Sequence, residues 1–313
     1  MLRDALIYLS QSRTARRLVR SAPGARTMAR RFVAGETLDD GITACREINR
    51  LGMSVTLDYL GESVSNREEA IKAADVYIGL IDRLVLEGIN GNVSMKLTQM
   101  GQNIDETFLR ANVKRVLDKA RQHDMLVRFD MEDSAHTQPT LDFFRGLWAE
   151  GYRNMGVVMQ AYMRRSQGDI EQLNADKVRV RLCKGAYVEP PAVAYQDKSE
   201  VDDNFVRLAQ LLMEHGNYPG IATHDPAMIQ AARRFAKERQ IDVARFEFQM
   251  LYGVRRDLQQ MLVKEGYNMR VYVPFGEAWY PYLMRRMAER PANMFFIVKA
   301  VVRESPLRHI LPS

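Results

Sequence analysis

The sequence of 313 residues predicts an α/β protein: a single (βα)8 barrel of the TIM type, preceded by a helical arm. From about residue 53 onward, short apolar or β-branched runs alternate with longer amphipathic stretches, and Gly, Asn, Asp or Pro separate them. Eight such pairs occur with short connections, which is the pattern of a (βα)8 barrel. Barrels of this type form one domain of about 250 residues. We therefore assign residues 1–50 to the arm and residues 51–313 to a catalytic barrel.

The strands are predicted from the apolar runs, which are short and bounded by residues that favour turns. Runs of about four to eight residues suit buried strands of a parallel sheet better than they suit helices. In chain order the predicted strands are Met53–Tyr59, Asn92–Thr98, Met125–Met131, Met155–Ala161, Val178–Cys183, Ile221–Thr223, Phe246–Leu251 and Arg270–Val273.

Several of the helices begin with a capping signal. Asn66 and Asp105 each precede a charged amphipathic stretch, and Asp225 precedes Pro226, a residue that suits the first helical position. The predicted helices span residues 66–86, 105–122, 138–149, 169–175, 201–215, 226–238, 254–265 and 278–289.

The excess positive charge of the chain is confined to the arm. Lys and Arg total 45 and Asp and Glu total 39, for a net charge of +6. Residues 1–31 contain eight Arg and one acid, Asp4, which leaves 37 basic and 38 acidic residues for the remainder. Because the folded body is then close to neutral, we expect no nucleic-acid partner. The arm has three interpretations, namely a solvated helix packed on the barrel, a segment that contacts anionic lipid, and a transit peptide.

Polar side chains follow almost every predicted strand. In a (βα)8 barrel the chemistry lies at the carboxyl ends of the strands, so these side chains are candidate site residues. A single polar strand end usually means only that the chain reaches water, but eight together, several of them ionisable, favour a functional site. In chain order they are Asp58 and Glu62, Lys96, Asp130, Gln160, Arg181 and Lys184, His224, Gln249, and Tyr272.

The last predicted helix carries two adjacent arginines. Tyr282, Arg285, Arg286 and Glu289 are separated by three or four residues and are therefore neighbours on the helix surface. Two guanidinium groups, together with Lys96, could bind one small carboxylate if it lies between them at the mouth of the barrel. An Arg-Arg pair on a helix is more often a solvated face, but this pair follows the eighth strand directly.

Several chemistries lack their sequence signatures. The chain has neither an H-E-x-x-H metal motif, nor a G-x-S-x-G nucleophile motif, nor a G-x-G-x-x-G dinucleotide motif. Two alternatives remain open. A Schiff-base aldolase would use Lys96 or Lys184, provided that burial lowers the pKa of that lysine. A non-enzymatic binding module would use the basic arm.

Five of the strand-end segments resemble the proline dehydrogenase family, in its small single-activity bacterial form. They occur in the order and spacing of the family between about Leu57 and Arg303, which makes the resemblance specific. These segments are Val93–Leu97, Val127–Glu132, Arg181–Tyr187, Ala222–Asp225 and Tyr282–Glu289.

The resemblance implies a distorted (βα)8 barrel that holds FAD over the strand ends and oxidises L-proline to Δ1-pyrroline-5-carboxylate. Electrons would then pass to a membrane quinone, which implies a cytoplasmic protein with possible peripheral contact at the inner face of the cell membrane. No metal is implied. The family positions for the substrate carboxylate are Lys96, Arg285 and Arg286; those at the proline ring are Tyr272 and Tyr282; Asp130 would orient this cluster and Arg181 would lie near the reactive flavin nitrogen. Glu62 matches an acid that pairs with Arg285, Glu289 matches an acid at the substrate pocket, and the FAD-contacting positions are Met131, Gln160, Lys184, Gly185, Ala186, Thr223 and His224.

Overall fold

Eight parallel strands form a closed barrel in the computed structural model, which describes residues 29–289 and the side chains of residues 29–284. Each strand pairs with the next one in the chain, and β8 pairs with β1 to close the barrel. The predicted fold is therefore confirmed. The strands are β1 Ser54–Tyr59, β2 Gly91–Met95, β3 Val127–Phe129, β4 Met155–Gln160, β5 Arg179–Cys183, β6 Gly220–Ala222, β7 Glu247–Leu251 and β8 Met269–Phe275.

A helix follows each strand, and within the described residues one further helix precedes β1. The three predicted caps are present, since Asn66, Asp105 and Asp225 each accept a hydrogen bond from a backbone N–H in the first turn. The helices are α1 Leu38–Arg50, α2 Arg67–Leu86, α3 Glu106–Arg121, α4 Ser134–Ala149, α5 Ser166–Ala175, α6 Lys198–His215, α7 Pro226–Glu238, α8 Arg256–Lys264 and α9 Trp279–Glu289.

Helix α4 begins earlier than the sequence analysis predicts, at Ser134 rather than at residue 138. Asp133 caps it by accepting a hydrogen bond from the backbone N–H of His136 at 3.1 Å. Pro139 consequently lies inside the helix, although proline usually marks a first turn. The polar first turn carries no apolar periodicity, and this is why the sequence pattern does not locate it.

Helix α1 packs on the outside of the barrel, against β1, β8 and α2. Its Ile42, Cys45 and Ile48 belong to the same hydrophobic core as Leu57 of β1. Gly41 allows the close approach, because a Cβ there would lie only 3.2 Å from the Phe275 ring. The predicted boundary between residues 50 and 51 stays a prediction, and α1 itself is packed as part of the barrel wall.

Helix α9 lies over the carboxyl end of the barrel, where it packs against the segment that precedes α1. Ala34 donates a backbone hydrogen bond to Pro274 O at 2.9 Å, and Gly276 donates one to Gly35 O at 2.9 Å. The Trp279 indole N–H donates to Glu36 Oε1 at 2.9 Å. Residues of the two segments, together with Leu60, form a second, smaller hydrophobic cluster: Ala29, Phe32, Val33, Leu60, Trp279, Tyr280, Tyr282, Leu283 and Met284.

No helix among residues 29–289 is both long enough and apolar enough to span a bilayer. Residues 1–28 and 290–313 lie outside the described part of the chain. Most of the basic arm is therefore outside it, and its three interpretations stay predictions.

Candidate active site

A cavity of about 560 Å³ opens at the carboxyl ends of the strands. Its volume is within the range of small-molecule and cofactor sites. The strands place predicted residues along its wall because alternate positions of a barrel strand face inward. Thirteen predicted site residues line the cavity: Lys96, Asp130, Met131, Gln160, Arg181, Lys184, Gly185, Ala186, Thr223, His224, Gln249, Tyr272 and Tyr282.

Five predicted residues are not among these, and one of them is Asp58, which lies at the end of β1. The Glu62 side chain does not line the cavity, but its charge acts on the Lys96 ammonium group and raises its pKa. Arg285, Arg286 and Glu289 belong to α9, and their side chains lie outside the described residues. The structure therefore places the helix that carries the arginine pair beside the cavity, since Tyr282 of the same helix lines it.

Lys96 is buried between two carboxylates at neighbouring strand ends. Its Nζ atom lies 3.3 Å from Asp58 Oδ2 and 3.7 Å from Asp130 Oδ2. Burial alone would lower the pKa of Lys96, but Asp58 and Asp130, followed by Glu62 and Glu132, reverse this and raise it. The ammonium group is thus held in its charged form inside the protein.

Asp130 accepts hydrogen bonds from three other side chains. Arg181 forms an ion pair with its Oδ1, Ser94 Oγ donates to the same oxygen at 2.5 Å, and the Tyr272 hydroxyl donates to Oδ2 at 2.7 Å. Burial raises the pKa of Asp130, but the charges of Arg181 and Lys96 outweigh it, so the net pKa is lowered. Asp130 is therefore an ionised carboxylate that joins β2, β3, β5 and β8.

The Arg181 guanidinium has a buried nitrogen atom that makes no hydrogen bond to the described residues. Its Cζ atom lies 5.0 Å from the centre of the Tyr272 ring, and its Nη2 binds Asp130. Its Nη1 is buried and has no hydrogen-bond partner among the described residues. A buried cationic donor without a partner, in the wall of a cavity, indicates that a bound group accepts this hydrogen bond.

The far side of the cavity carries a second charged cluster. Lys184 forms ion pairs with Asp202 and, at 3.0 Å, with Asp225, while Lys198 also pairs with Asp202. Burial would raise the pKa of both aspartates, but the lysines lower it overall. Gly185 follows Lys184 with φ of 110°, a conformation that glycine adopts easily. A Cβ there would overlap the Tyr162 ring, so this close approach requires glycine.

Two predicted residues make hydrogen bonds to backbone groups near the strand ends. His224 Nε2 accepts from the Leu251 N–H at 2.9 Å, so Nε2 carries no proton. Gln160 Nε2 donates to Glu132 O at 2.8 Å. These bonds fix the orientation of both side chains in the cavity wall.

Sequence reasoning missed the partners of the predicted cations. Asp58 is recognisable as a strand-end acid, but nothing in the pattern pairs it with Lys96. Ser94, which binds Arg181, and Asp202, which binds Lys184, gave no signal in the sequence, because a serine in a strand and an acid in a helix are both ordinary. The missing information is the strand register, which sets Asp58 beside Ser94.

The surroundings of the two lysines argue against the aldolase. A Schiff-base lysine must lose its proton, whereas Lys96 has a raised pKa and Lys184 is held by two carboxylates. Among the described residues, no group of three or more His, Cys, Asp or Glu side chains could hold a metal ion. The arrangement is suited instead to binding anionic groups and to holding them in a fixed orientation.

Comparison with known proteins identifies the family of the chain. The family model described as proline dehydrogenase matches residues 42–299. The chain is 40% identical to proline dehydrogenase 1 of Bacillus subtilis strain 168 over 304 residues, which cover 97% of this chain and 100% of the relative. It is 41% identical to proline dehydrogenase of Deinococcus radiodurans over 280 residues, covering 88% and 90% of the two chains.

A solved structure shares the barrel. Proline utilization A (PutA) of Bdellovibrio bacteriovorus, inactivated by N-propargylglycine, aligns with a TM-score of 0.78 at 25% identity, over 92% of this chain and 36% of that one. The family match spans most of the sequence, and the two bacterial relatives are covered almost completely. The chain therefore belongs to the proline dehydrogenase family.

Proposed function

We propose that this protein oxidises L-proline to Δ1-pyrroline-5-carboxylate, with FAD as the hydride acceptor and a membrane quinone as the final acceptor of the electrons. Family membership supports the reaction class. The observation that carries the proposal is the network of Lys96, Asp130 and Arg181, which holds two cations in one cavity around an ionised carboxylate.

Lys96 would bind the substrate carboxylate together with Arg285 and Arg286 of α9. The buried ammonium group is charged and lies in the cavity wall, as this role requires. Asp130 would hold Lys96 and Arg181 at a fixed separation. Tyr272 and Tyr282, which also line the cavity, would pack against the apolar ring of the substrate. Glu62 would pair with Arg285, and Glu289 would lie at the substrate pocket.

The wall opposite Lys96 fits a large anionic cofactor such as FAD. The unpartnered Nη1 of Arg181 offers a buried donor, and Lys184 brings a cation beside the Gly185 turn. The remaining residues that would hold the cofactor already line this side of the cavity: Met131, Gln160, Ala186, Thr223 and His224.

FAD, when bound, would supply the electron-pair acceptor that amino-acid side chains lack. The product requires the ring nitrogen to become doubly bonded to the neighbouring carbon that lacks the carboxylate. Proline must therefore lose a hydride from that carbon and its two ammonium protons. The contribution of the protein is positioning: the cationic clamp fixes the carboxylate, and the tyrosines fix the ring. Arg181 would stabilise the negative charge of the reduced cofactor.

Transfer of electrons to a quinone would bring the protein to a membrane surface, because quinones dissolve in lipid. The composition of residues 1–31, eight Arg and one acid, suits anionic lipid. Peripheral contact at the inner face of the cell membrane is therefore part of the proposal.

The proposal is tested by absorption spectra of the purified protein before and after addition of L-proline without air. We expect flavin bands that bleach on addition of L-proline. Lys96→Met is the matched control: it should keep the flavin bands but should need much more proline to bleach them. Flavin bands that ignore proline would contradict the substrate, and a colourless protein that FAD cannot reconstitute would contradict the cofactor.

A further inference from the structure

We propose that Asp58 is a positioning residue, which holds the Lys96 ammonium group in the orientation that binds the substrate carboxylate. The inference rests on the proposed role of Lys96 as a carboxylate ligand. Nothing in the resemblance to the family assigns a role to Asp58, which was identified in the sequence only as one of the polar strand ends.

The geometry makes Asp58 the nearest counter-ion of Lys96. Both carboxylate oxygens of Asp58 lie 3.3 Å from Nζ, whereas the nearest oxygen of Asp130 is at 3.7 Å. The Asp58 side chain is fully buried, and Lys96 is 8% exposed. The pair is held in one arrangement, because the fully buried Asp58 cannot exchange its partner for water.

The other contacts of the two acids separate their roles. Asp130 is bound by Arg181, Ser94 and Tyr272, which together occupy both of its oxygens. Asp58 has a long hydrogen bond of 3.4 Å from the Tyr77 hydroxyl, and the Tyr272 hydroxyl that binds Asp130 also acts on it. Asp130 is therefore mainly the counter-ion of Arg181, and Asp58 is mainly the counter-ion of Lys96.

Lys96 needs such a partner because of its side chain. Four rotatable bonds give lysine many orientations, and an ammonium group is a point charge without the fixed geometry of a guanidinium. A bond from one side of Nζ to Asp58 restrains the stem and directs the other N–H groups away from Asp58. Since Lys96 lines the cavity, the remaining donors are available to a carboxylate bound there.

The charges around Nζ point to the same role. Asp58 and Asp130 act on Lys96 from β1 and from the residue after β3, Glu62 acts from the β1–α2 loop, and Glu132 acts from the loop after β3. Asp58 has the largest effect of the four. Loss of the Asp58 charge should lower the pKa of Lys96, because burial favours the neutral amine.

The first test is the steady-state kinetics of the isosteric variant Asp58→Asn with L-proline and an artificial acceptor. We expect KM for proline to rise about tenfold or more, as for loss of a hydrogen bond between charged groups. We expect kcat to fall much less, because saturating substrate restores the clamp. Tyr77→Phe is the matched control: it removes the hydroxyl that lies 3.4 Å from Asp58 Oδ1, keeps the ion pair, and should leave KM close to the wild-type value.

The second test uses cyclopentanecarboxylate, which has the ring and carboxylate of proline without the amine, and measures its Kd by calorimetry on the flavin-loaded protein. Between about pH 7 and about pH 9, Lys96 should stay charged in the wild-type protein and should cause no change in Kd. In Asp58→Asn, Kd should rise with pH, because Lys96 loses its proton more easily. In a Lys96→Met background, adding Asp58→Asn should have little further effect on Kd, because Asp58 acts through Lys96.

The outcomes separate this inference from the proposed function. Wild-type protein that does not oxidise proline would refute the proposed function. Wild-type activity with an unchanged KM in Asp58→Asn, or an additive loss in the double variant, would refute only the role of Asp58. If Asp58→Asn does not fold, the double variant should recover stability, because it contains no unpaired buried ammonium. Failure of both variants to fold would also overturn the inference.

Discussion

Tyr272 makes two separable contacts in the site. Its hydroxyl donates to Asp130 at 2.7 Å, and its ring lies against the Arg181 guanidinium at 5.0 Å. Phenylalanine would keep the ring and remove only the hydrogen bond, whereas leucine would remove both contacts.

We therefore expect Tyr272→Phe to reduce kcat/KM for proline by about tenfold, equivalent to about 1–1.5 kcal/mol, and Tyr272→Leu to reduce it further. Steady-state assays of both variants against wild type decide this. Equal losses in the two variants would mean that the ring contact with Arg181 contributes nothing to turnover.

The pH dependence of activity follows from the charge states in the site. The pKa of Lys96 is raised above its ordinary value of 10.5, so the ammonium group stays charged until well into the alkaline range. The pKa of Asp130 is lowered below its ordinary value of 3.8, so its carboxylate stays ionised down to acid pH. Neither group titrates between these limits, and the proton whose loss the reaction requires is that of the substrate ammonium.

We accordingly expect kcat/KM for proline to rise with pH between about pH 6 and about pH 9 without a descending limb. Lys96→Met should lower the whole curve but keep its slope. A bell-shaped profile in the wild-type protein, with a descending limb that disappears in Lys96→Met, would show that Lys96 titrates in this range and would contradict the raised pKa.

At the scale of residues, the sequence predicts which side chains reach the cavity better than it predicts what they touch. Lys96, Asp130 and Tyr272 follow apolar runs, and a barrel brings the carboxyl ends of its strands together. Their contacts depend on register and side-chain length, which no periodicity encodes. Asp58 is the clearest case, since its partner is 38 positions along the chain.

Helix α9 and the segment of residues 29–36 form one structural unit at the mouth of the barrel. The Glu36–Trp279 hydrogen bond of 2.9 Å and the shared apolar cluster connect them. Tyr282 extends from this helix into the cavity wall. The position of α9 therefore depends on residues that precede the first strand by almost 20 positions in the sequence.

We expect Glu36→Ala to raise KM for proline a few-fold and to lower the free energy of unfolding by about 1 kcal/mol, because the Trp279 indole N–H then lacks this acceptor. Glu36→Gln keeps an acceptor and should resemble wild type. Kinetics and urea denaturation of the two variants measure both effects, and an unchanged KM in Glu36→Ala would mean that this bond does not position α9.

At the scale of elements, helix starts are predicted well at Asn66, Asp105 and Asp225, but not at Asp133, because the turn after it carries no apolar periodicity. Strand β3 is less well predicted: three residues pair, Val127–Phe129, although the apolar run covers seven. Hydrophobicity extends past the hydrogen-bonded part of a strand because the adjoining loops are buried too. Met125 and Met131 are examples, each less than a tenth exposed.

The barrel as a whole is closed by β1 and β8, and a buried ion pair lies at this junction. Arg270 of β8 donates from Nε to Glu247 Oε1 of β7 at 2.8 Å and from Nη1 to Val55 O of β1 at 2.8 Å. Glu247 is 2% exposed, and Gln249 also donates to it at 2.6 Å. One side chain thus joins three strands across the point of closure.

The count of eight strand–helix pairs predicts that the barrel closes, but not how it closes. The eighth position on the outer wall is taken by α1, which packs against β1 and β8, while α9 lies at the mouth. The sequence could not distinguish these arrangements, because both helices are amphipathic and both adjoin a strand of the junction.

Replacing Arg270 tests what the junction contributes to stability. In Arg270→Met the Glu247 carboxylate remains buried without its cation, so the free energy of unfolding should fall by about 3–5 kcal/mol. Arg270→Met/Glu247→Leu removes the uncompensated charge and should recover most of the loss. Arg234→Met removes the same side chain from the exposed Arg234–Glu238 pair and should change stability by less than about 1 kcal/mol. Urea unfolding followed by circular dichroism measures all three variants. If Arg270→Met were no less stable than Arg234→Met, closure would depend on the backbone pairing of β1 with β8 alone.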